Sequence, residues 1–427
     1  MSSHQRFIET DEQQAADSPV GKIPRSGVAK TFRAFQYRDF RLIWAGAFAS
    51  TTGSWMQKIA QSWLVYQMTG SAFYLGLTSF LAQLPQVLFL LVGGSLADRV
   101  DRRRVLLFSQ FLQMPCALAL MTLVATGWIQ VWHFLVLAFV AGTGQAFGAP
   151  AYQTLMPNLV DRSDLPNAIA LSSIQFNLAR TIGPLLAAAA LHLAGPAVCF
   201  GINGISFLAP IMTLYMIHSS FQPRPSDKSI LSEIAQGFRF VGNLGSLRQL
   251  TFLGFVTTFC AIPVMTLLPA FASQVFDAGS RQYSLMMAAT GAGSVSGALL
   301  YARLSMMKRR GLFTLWVQLG LAFLLACFSL SRILPLSYII LFFAGVGLMA
   351  LAASITSLVQ LASSEEMRGR VMSIFMLAFR SGMPLGDLLA GSVAARISPP
   401  FTLIMLAGLM GSVAVGFLLS KSSLKSL

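Results

Sequence analysis

Long stretches of this chain carry no formal charge. No Asp, Glu, Lys or Arg occurs in 59–97, 105–160, 181–223, 249–276, 282–302, 311–331, 333–364 or 397–420. A hydrocarbon core about 30 Å thick takes roughly 20 helical residues to cross. The run 105–160 is therefore long enough for two crossings, with the turn TGWIQ (126–130) between them, and several other runs hold one. Composition agrees: 55% of the residues are hydrophobic and 11% charged, where a soluble chain has about a quarter charged. A polytopic membrane protein is expected.

The spans should be helices, because backbone groups in lipid must be satisfied internally and a barrel would show alternating segments of about ten residues. The expected fold class is an all-α membrane protein with twelve transmembrane helices, at about 42–66, 72–96, 105–126, 131–156, 165–193, 196–217, 249–272, 282–304, 312–331, 335–360, 370–395 and 401–420.

The net charge of +15 raises nucleic acid as a partner, but its distribution argues against one. With the amino terminus in the cytoplasm, all but six of the Lys and Arg fall in cytoplasmic segments. Arg281, Arg332 and Arg396 lie outside, and Lys58, Arg180 and Arg380 lie within helices. That bias is the positive-inside rule, and it places both termini in the cytoplasm of a cell membrane. Cys116, Cys199, Cys260 and Cys327 sit singly in predicted spans, with no spacing for a disulfide or a metal. No cofactor is expected.

Residues 1–31 read as a disordered polar tail without a signal-peptide core. A first half, 32–217, is followed by a polar linker, 218–248, that opens with Pro223 and Pro225. Ile230, Leu231, Ile234 and Phe238 then fall at helical spacing, as in a helix lying on the membrane surface. A second half, 249–420, and a short tail, 421–427, complete the chain. The halves resemble each other: FNLARTIGPLL (176–186) and FMLAFRSGMPLG (375–386) both place Arg four residues before Pro, and LIWAGAF (42–48) returns loosely as LTFLGFV (250–256). Two pseudo-symmetric six-helix halves are the organisation of transporters that rock around a site between them.

Charge is concentrated in GGSLADRVDRRRVLL (93–107), where six of the seven residues from Asp98 to Arg104 are charged. An acid at the C-terminal end of a helix opposes the local dipole and needs a compensating partner. Gly94, Asp98, Arg99, Arg102 and Arg103 resemble the signature of the major facilitator superfamily between its second and third helices, Gly-x-x-x-Asp-Arg-x-Gly-Arg-Arg. The sequence departs at Asp101, where the family has glycine. The counterpart in the second half, GALLYARLSMMKRRG (297–311), keeps Gly297 and the basic cluster but has no Asp. The resemblance covers about 32–420. It implies that Asp98 and its arginines latch one half to the other at a cytoplasmic gate, with Glu365 and Glu366 opposite.

Superfamily exporters carry Gly-x8-Gly-x3-Gly-Pro-x2-Gly-Gly in helix 5. Ala170, Ala179, Gly183, Pro184, Ala187 and Ala188 stand at those spacings, so smallness is kept while four glycines are replaced. Small residues let helices approach closely, whether for export or for packing alone. The segments 55–77 and 177–184 resemble the branch that contains the enterobactin exporter and macrolide-efflux-like proteins.

Polar residues inside the spans mark the expected substrate and ion pathway. Ser54, Gln57, Lys58 and Gln61 form one stripe on helix 1, set opposite Trp55, Ile59 and Trp63. Ser173, Asn177 and Arg180 form another on helix 5, and Ser373, Arg380 and Asp387 a third on helix 11. Gln145, with Tyr152 and Gln153, adds polar groups from helix 4. Arg180 and Arg380 either contact an anionic or polar substrate or clamp helices together. Asp387, the only acid well inside a span, is the candidate proton carrier. Lys58, near the expected outer end of helix 1, is expected to snorkel to the interface.

The chain lacks His-Glu-x-x-His, Gly-x-Ser-x-Gly and a phosphate-cradling loop, so an enzyme is not expected. The expected function is proton-driven export of small amphipathic molecules, drug-like or siderophore-like, by a monomer. The alternative is an importer or lysolipid-type flippase on the same fold.

Overall fold

The computed structural model describes residues 32–99, 101–217, 239–242, 244–304, 309–420 and 424, with backbone alone for 90–99 and 304. Helix α1 runs Arg38–Thr69, α2 Ala72–Arg99, α3 Arg102–Ala125, α4 Val131–Leu155, α5 Leu165–Ala194 and α6 Pro196–Met216. Then α7 runs Gly245–Gln274, α8 Ser280–Leu304, α9 Arg310–Leu330, α10 Leu334–Ala362, α11 Arg368–Arg396 and α12 Pro399–Leu419. No strand occurs among the described residues. The expected tail 1–31 and most of the linker 218–248, with its apolar stripe, lie outside the described residues, as does the closing tail apart from Leu424.

Ten of these helices are long and apolar enough to cross a membrane. The other two, α1 and α11, are 32 and 29 residues long and carry the charges Lys58, Arg380 and Asp387 along their length. Most of the described connections between successive helices are short. At one of them Gly70 closes α1 in the left-handed region, φ 60°, where its N–H donates to the Tyr66 carbonyl at 2.8 Å. Prolines lie within α2, α3, α4, α5, α7 and α11, and α7 is interrupted at Ile262 just before Pro263.

Helices from the first part of the chain meet those of the second where α2 packs on α11 and α5 on α8. Glycine makes both contacts possible. A Cβ at Gly76 would strike the Asp387 backbone and Gly391, and one at Gly391 would meet Ala72 and Gly76. Gly291 on α8 lies equally close to Arg180 and Thr181 on α5. Lipid supplies little hydrophobic drive for helix association, so such close backbone packing carries much of it.

The buried core has two parts. One runs through Trp63, Leu75, Met265, Phe271 and Tyr283, joining both parts of the chain, and continues along the second part to Leu247, Val371 and Leu424. Trp63 stacks on Tyr283, centroids 6.2 Å apart. The other gathers Phe40, Ile43, Val105, Leu155, Leu171 and Leu214, all from the first part of the chain, near the start of α1. The two parts of the chain thus share a core at one end of the bundle and have separate, divided cores at the other.

Candidate substrate and ion pathway

Helix α5 is accessible on two different faces. At about 100° per residue, Ile174, Leu178 and Leu185 share one exposed apolar face, as lipid contact requires. Ile169, Ser173, Phe176 and Arg180 share a second face on the other side, also accessible. A helix accessible on two opposed faces borders both lipid and an internal space. Helix α11 has the same pattern, with Leu385 and Leu389 on one face and Ser373, Met376 and Arg380 on the other. On α4, exposed Gln145 lies nine residues, about a half-turn of the helical wheel, from exposed Val136, and so faces inward.

Asp387 stands where α2, α7 and α11 meet, with no exposed surface. Ser79 Oγ donates to its Oδ2 at 2.6 Å and Gln83 Nε2 to the same oxygen at 3.0 Å. Thr266 Oγ1 donates to Oδ1 at 2.9 Å. Gln83 also donates to Ser79 Oγ at 2.9 Å, closing a small network. The acid is therefore interior and fully partnered. These partners were not among the sequence candidates, although Ser79, Gln83 and Gln86 recur at i, i+4 and i+7 on an otherwise apolar helix.

Next to this network, Gln83, Gln86, Val87, Met376, Phe379, Arg380 and Met383 line a cavity of about 210 Å³ between α2 and α11. Arg380 Nη1 donates to Gln86 Oε1 at 3.1 Å. On the other side of the pathway the Arg180 guanidinium lies 5.7 Å from the Trp55 ring centre, and its Nη2 approaches Met265 Sδ at 3.5 Å. Lys58 Nζ lies over the same Trp55 ring at 5.0 Å.

Several expectations need correction. Lys58 lies deeper than the outer end of helix 1: it is exposed, eleven residues before the end of α1, and within electrostatic reach of Asp387 and Arg180. Trp55 is not opposite the polar stripe, since it carries both Lys58 and Arg180. Gln57 turns toward α6, where its Oε1 accepts from Asn203 Nδ2 at 2.7 Å, because Asn203 is buried and needs a partner. Asn177 is buried and donates to the Ser173 carbonyl of its own helix at 2.8 Å. Gln61 is half-buried on α1. Gly183 holds α5 against Trp55 and Thr52 of α1, and Pro184 is buried beside it.

The expected gate is only partly described. Gly94, Asp98 and Arg99 belong to α2, but their side chains lie outside the described residues. Arg102 Nη1 donates to the Thr154 carbonyl at 3.1 Å, and Arg103 lies over the Tyr215 ring at 5.4 Å. Both contacts are within the first part of the chain, while Glu365 and Glu366 are exposed. Among the described side chains, neither Arg102 nor Arg103 pairs with Glu365 or Glu366. The departure at Asp101 has a local explanation: its Oδ1 accepts from Arg103 N at 2.9 Å, capping α3 as a glycine could not.

Residues 29–426 match the family model described as transmembrane secretion effector. The multidrug efflux pump Tap of Mycolicibacterium fortuitum is 28% identical over 88% of this chain and 95% of its own. Macrolide efflux protein A of Streptococcus pyogenes is 24% identical over 84% and 90%, and the staphyloferrin A transporter of Staphylococcus aureus 24% over 87% and 92%. Among solved structures, a D-xylose–proton symporter superposes with a TM-score of 0.70 at 14% identity, covering 92% of this chain and all of the other. At that identity the likeness is one of fold.

Proposed function

The chain belongs to the transmembrane secretion effector family of the major facilitator superfamily, and on that premise we propose that it exports small amphipathic molecules in exchange for protons. The reading includes twelve crossings in two six-helix halves, with both termini in the cytoplasm of the cell membrane. The halves rock to expose the pathway alternately. The end of the bundle that is divided is then the cytoplasmic one, and substrate enters between α5 and α11.

The observation that carries the proton-coupled reading is the set of partners on Asp387. Hydroxyls both donate and accept, and their hydrogens rotate to suit. Ser79 and Thr266 can therefore donate to a carboxylate and accept from a carboxylic acid without moving their oxygens. A buried acid needs such a neighbourhood to change charge without leaving a polar atom unsatisfied. Asp387 also lies where α2 and α11 come together, so its charge bears directly on the contact between the halves. Asp98, Arg99, Arg102 and Arg103 would meet Glu365 and Glu366 when the cytoplasmic end closes. Relatives named for multidrug and macrolide efflux favour export over import or lipid flipping.

The test is accumulation of amphipathic fluorescent dyes in a pump-deficient bacterial host expressing wild type or Asp387→Asn, with and without a protonophore. Lower accumulation that both the protonophore and the substitution abolish supports the reading. Extrusion unaffected by either, with folded protein confirmed in the membrane, overturns proton coupling. Unchanged accumulation of every dye counts against broad efflux.

A further inference from the structure

The charges inside the spans do not balance. Lys58, Arg180 and Arg380 face a single acid, Asp387, whose oxygens are taken by Ser79, Gln83 and Thr266. Among the described residues neither guanidinium meets a carboxylate at ion-pair distance. Arg180 has a ring and a thioether, and Arg380 a neutral amide oxygen. A cation held in a low-dielectric interior is costly unless an opposite charge or water accompanies it. Two such cations at equivalent positions of α5 and α11, on the faces that border the pathway, are poised for a ligand that supplies negative charge.

Resting on the export reading, we propose that the molecule carried is an amphipathic anion, whose charged group is held by Arg380 beside Gln86. The cavity of about 210 Å³ has the matching shape of chemistry. Arg380 offers a planar fork suited to a carboxylate. Gln86 accepts from Arg380 through its oxygen, leaving its amide hydrogens for the ligand. Val87, Met376, Phe379 and Met383 supply an apolar wall for the rest of the molecule, and methionine adapts to varied shapes. Gln83 lines the same cavity and donates to Asp387, so ligand and acid share a neighbour.

The experiment uses the full-length protein in lipid nanodiscs and equilibrium dialysis at neutral pH. The probes share one body: N-dansyl-6-aminohexanoic acid, its methyl ester, and an analogue ending in trimethylammonium. The acid should bind at least about tenfold more tightly than the ester, the scale of one charge-assisted hydrogen bond. Arg380→Gln should erase that preference, and Arg380→Lys should keep it. Ester or trimethylammonium binding as tightly as the acid overturns the proposal, as does failure of the acid to bind or a preference that survives Arg380→Gln. Dialysis involves no gradient and no direction. Anion preference can therefore stand while dye export fails in cells, and export can stand while the preference fails.

Discussion

Gln83 reaches across from α2 to donate to Asp387 on α11 at 3.0 Å, and the same side chain lines the cavity that holds Arg380. One amide thus touches both the buried acid and the space where a ligand fits. The contact joins residues far apart in the chain, across the packing of α2 on α11.

Replacing Asp387 separates its structural and chemical parts. Asp387→Asn keeps an acceptor oxygen for Ser79 and Gln83, so the protein should remain folded with a melting temperature in detergent within a few degrees of wild type. Asp387→Ala takes the acceptor from the half-buried Ser79 and Thr266 hydroxyls, at a cost of up to about 1–3 kcal/mol each. A clearly lower melting temperature for Ala than for Asn is expected. Equal melting temperatures would mean that the network does not hold α2, α7 and α11 together.

The spans and the lone interior acid were legible in the sequence because charge-free runs and an exception to them need no partner to be seen. The network around Asp387 was not, because Ser79, Gln83 and Thr266 come from two other helices and bear no local spacing to it. Helix α1 ends at Thr69 rather than near 66, which sets Lys58 roughly 16 Å from that end at 1.5 Å per residue, deeper along the helix than its sequence position suggested. Gln57 read as part of a polar stripe because its partner, Asn203, lies on a helix whose rotation the sequence does not fix.

Gly76 should be intolerant of even one methyl group. A Cβ there collides with the Asp387 backbone and Gly391 rather than with a side chain that could swing away. Gly76→Ala is expected to cost about 1–3 kcal/mol, as overpacking does, and to weaken the contact between α2 and α11. Gly320, in α9, has nothing within 4 Å of an added Cβ. Gly320→Ala should therefore raise stability by up to about 1 kcal/mol. Thermal unfolding of both variants in one detergent checks the opposite signs.

Asp164 anchors the short helix Arg33–Gln36 to the start of α5. It is buried, yet Arg33 Nε meets its Oδ1 at 3.1 Å, and Gln36 Nε2 and Tyr37 Oη donate to its Oδ2 at 2.9 and 2.8 Å. Asp164→Ala should release residues 33–37, seen as faster amide hydrogen exchange there, with slower or no change in α8 and α10. Unaltered exchange at 33–37 would show that packing of Phe35 on Trp44, at 5.2 Å, suffices to hold the segment.

A proton carrier at Asp387 needs neighbours that serve both of its charge states. Gln83 Nε2 can only donate, so it serves the ionised acid and offers nothing to a carboxylic proton. Ser79 and Thr266 can serve both states, one at each oxygen. Either hydroxyl alone should suffice, because a carboxylic acid carries one proton and needs one acceptor. Ser79→Ala and Thr266→Val should each retain most proton-linked dye export. The double variant leaves the protonated acid with no hydroxyl to accept its hydrogen, so transport should fall by roughly tenfold or more, the effect of one buried unmade hydrogen bond. The informative readout is the non-additivity of initial export rates per folded molecule. Losses that simply multiply from the two single variants would show that the hydroxyls only shape the site, and would remove the reversible donor as the reason Asp387 is held where it is.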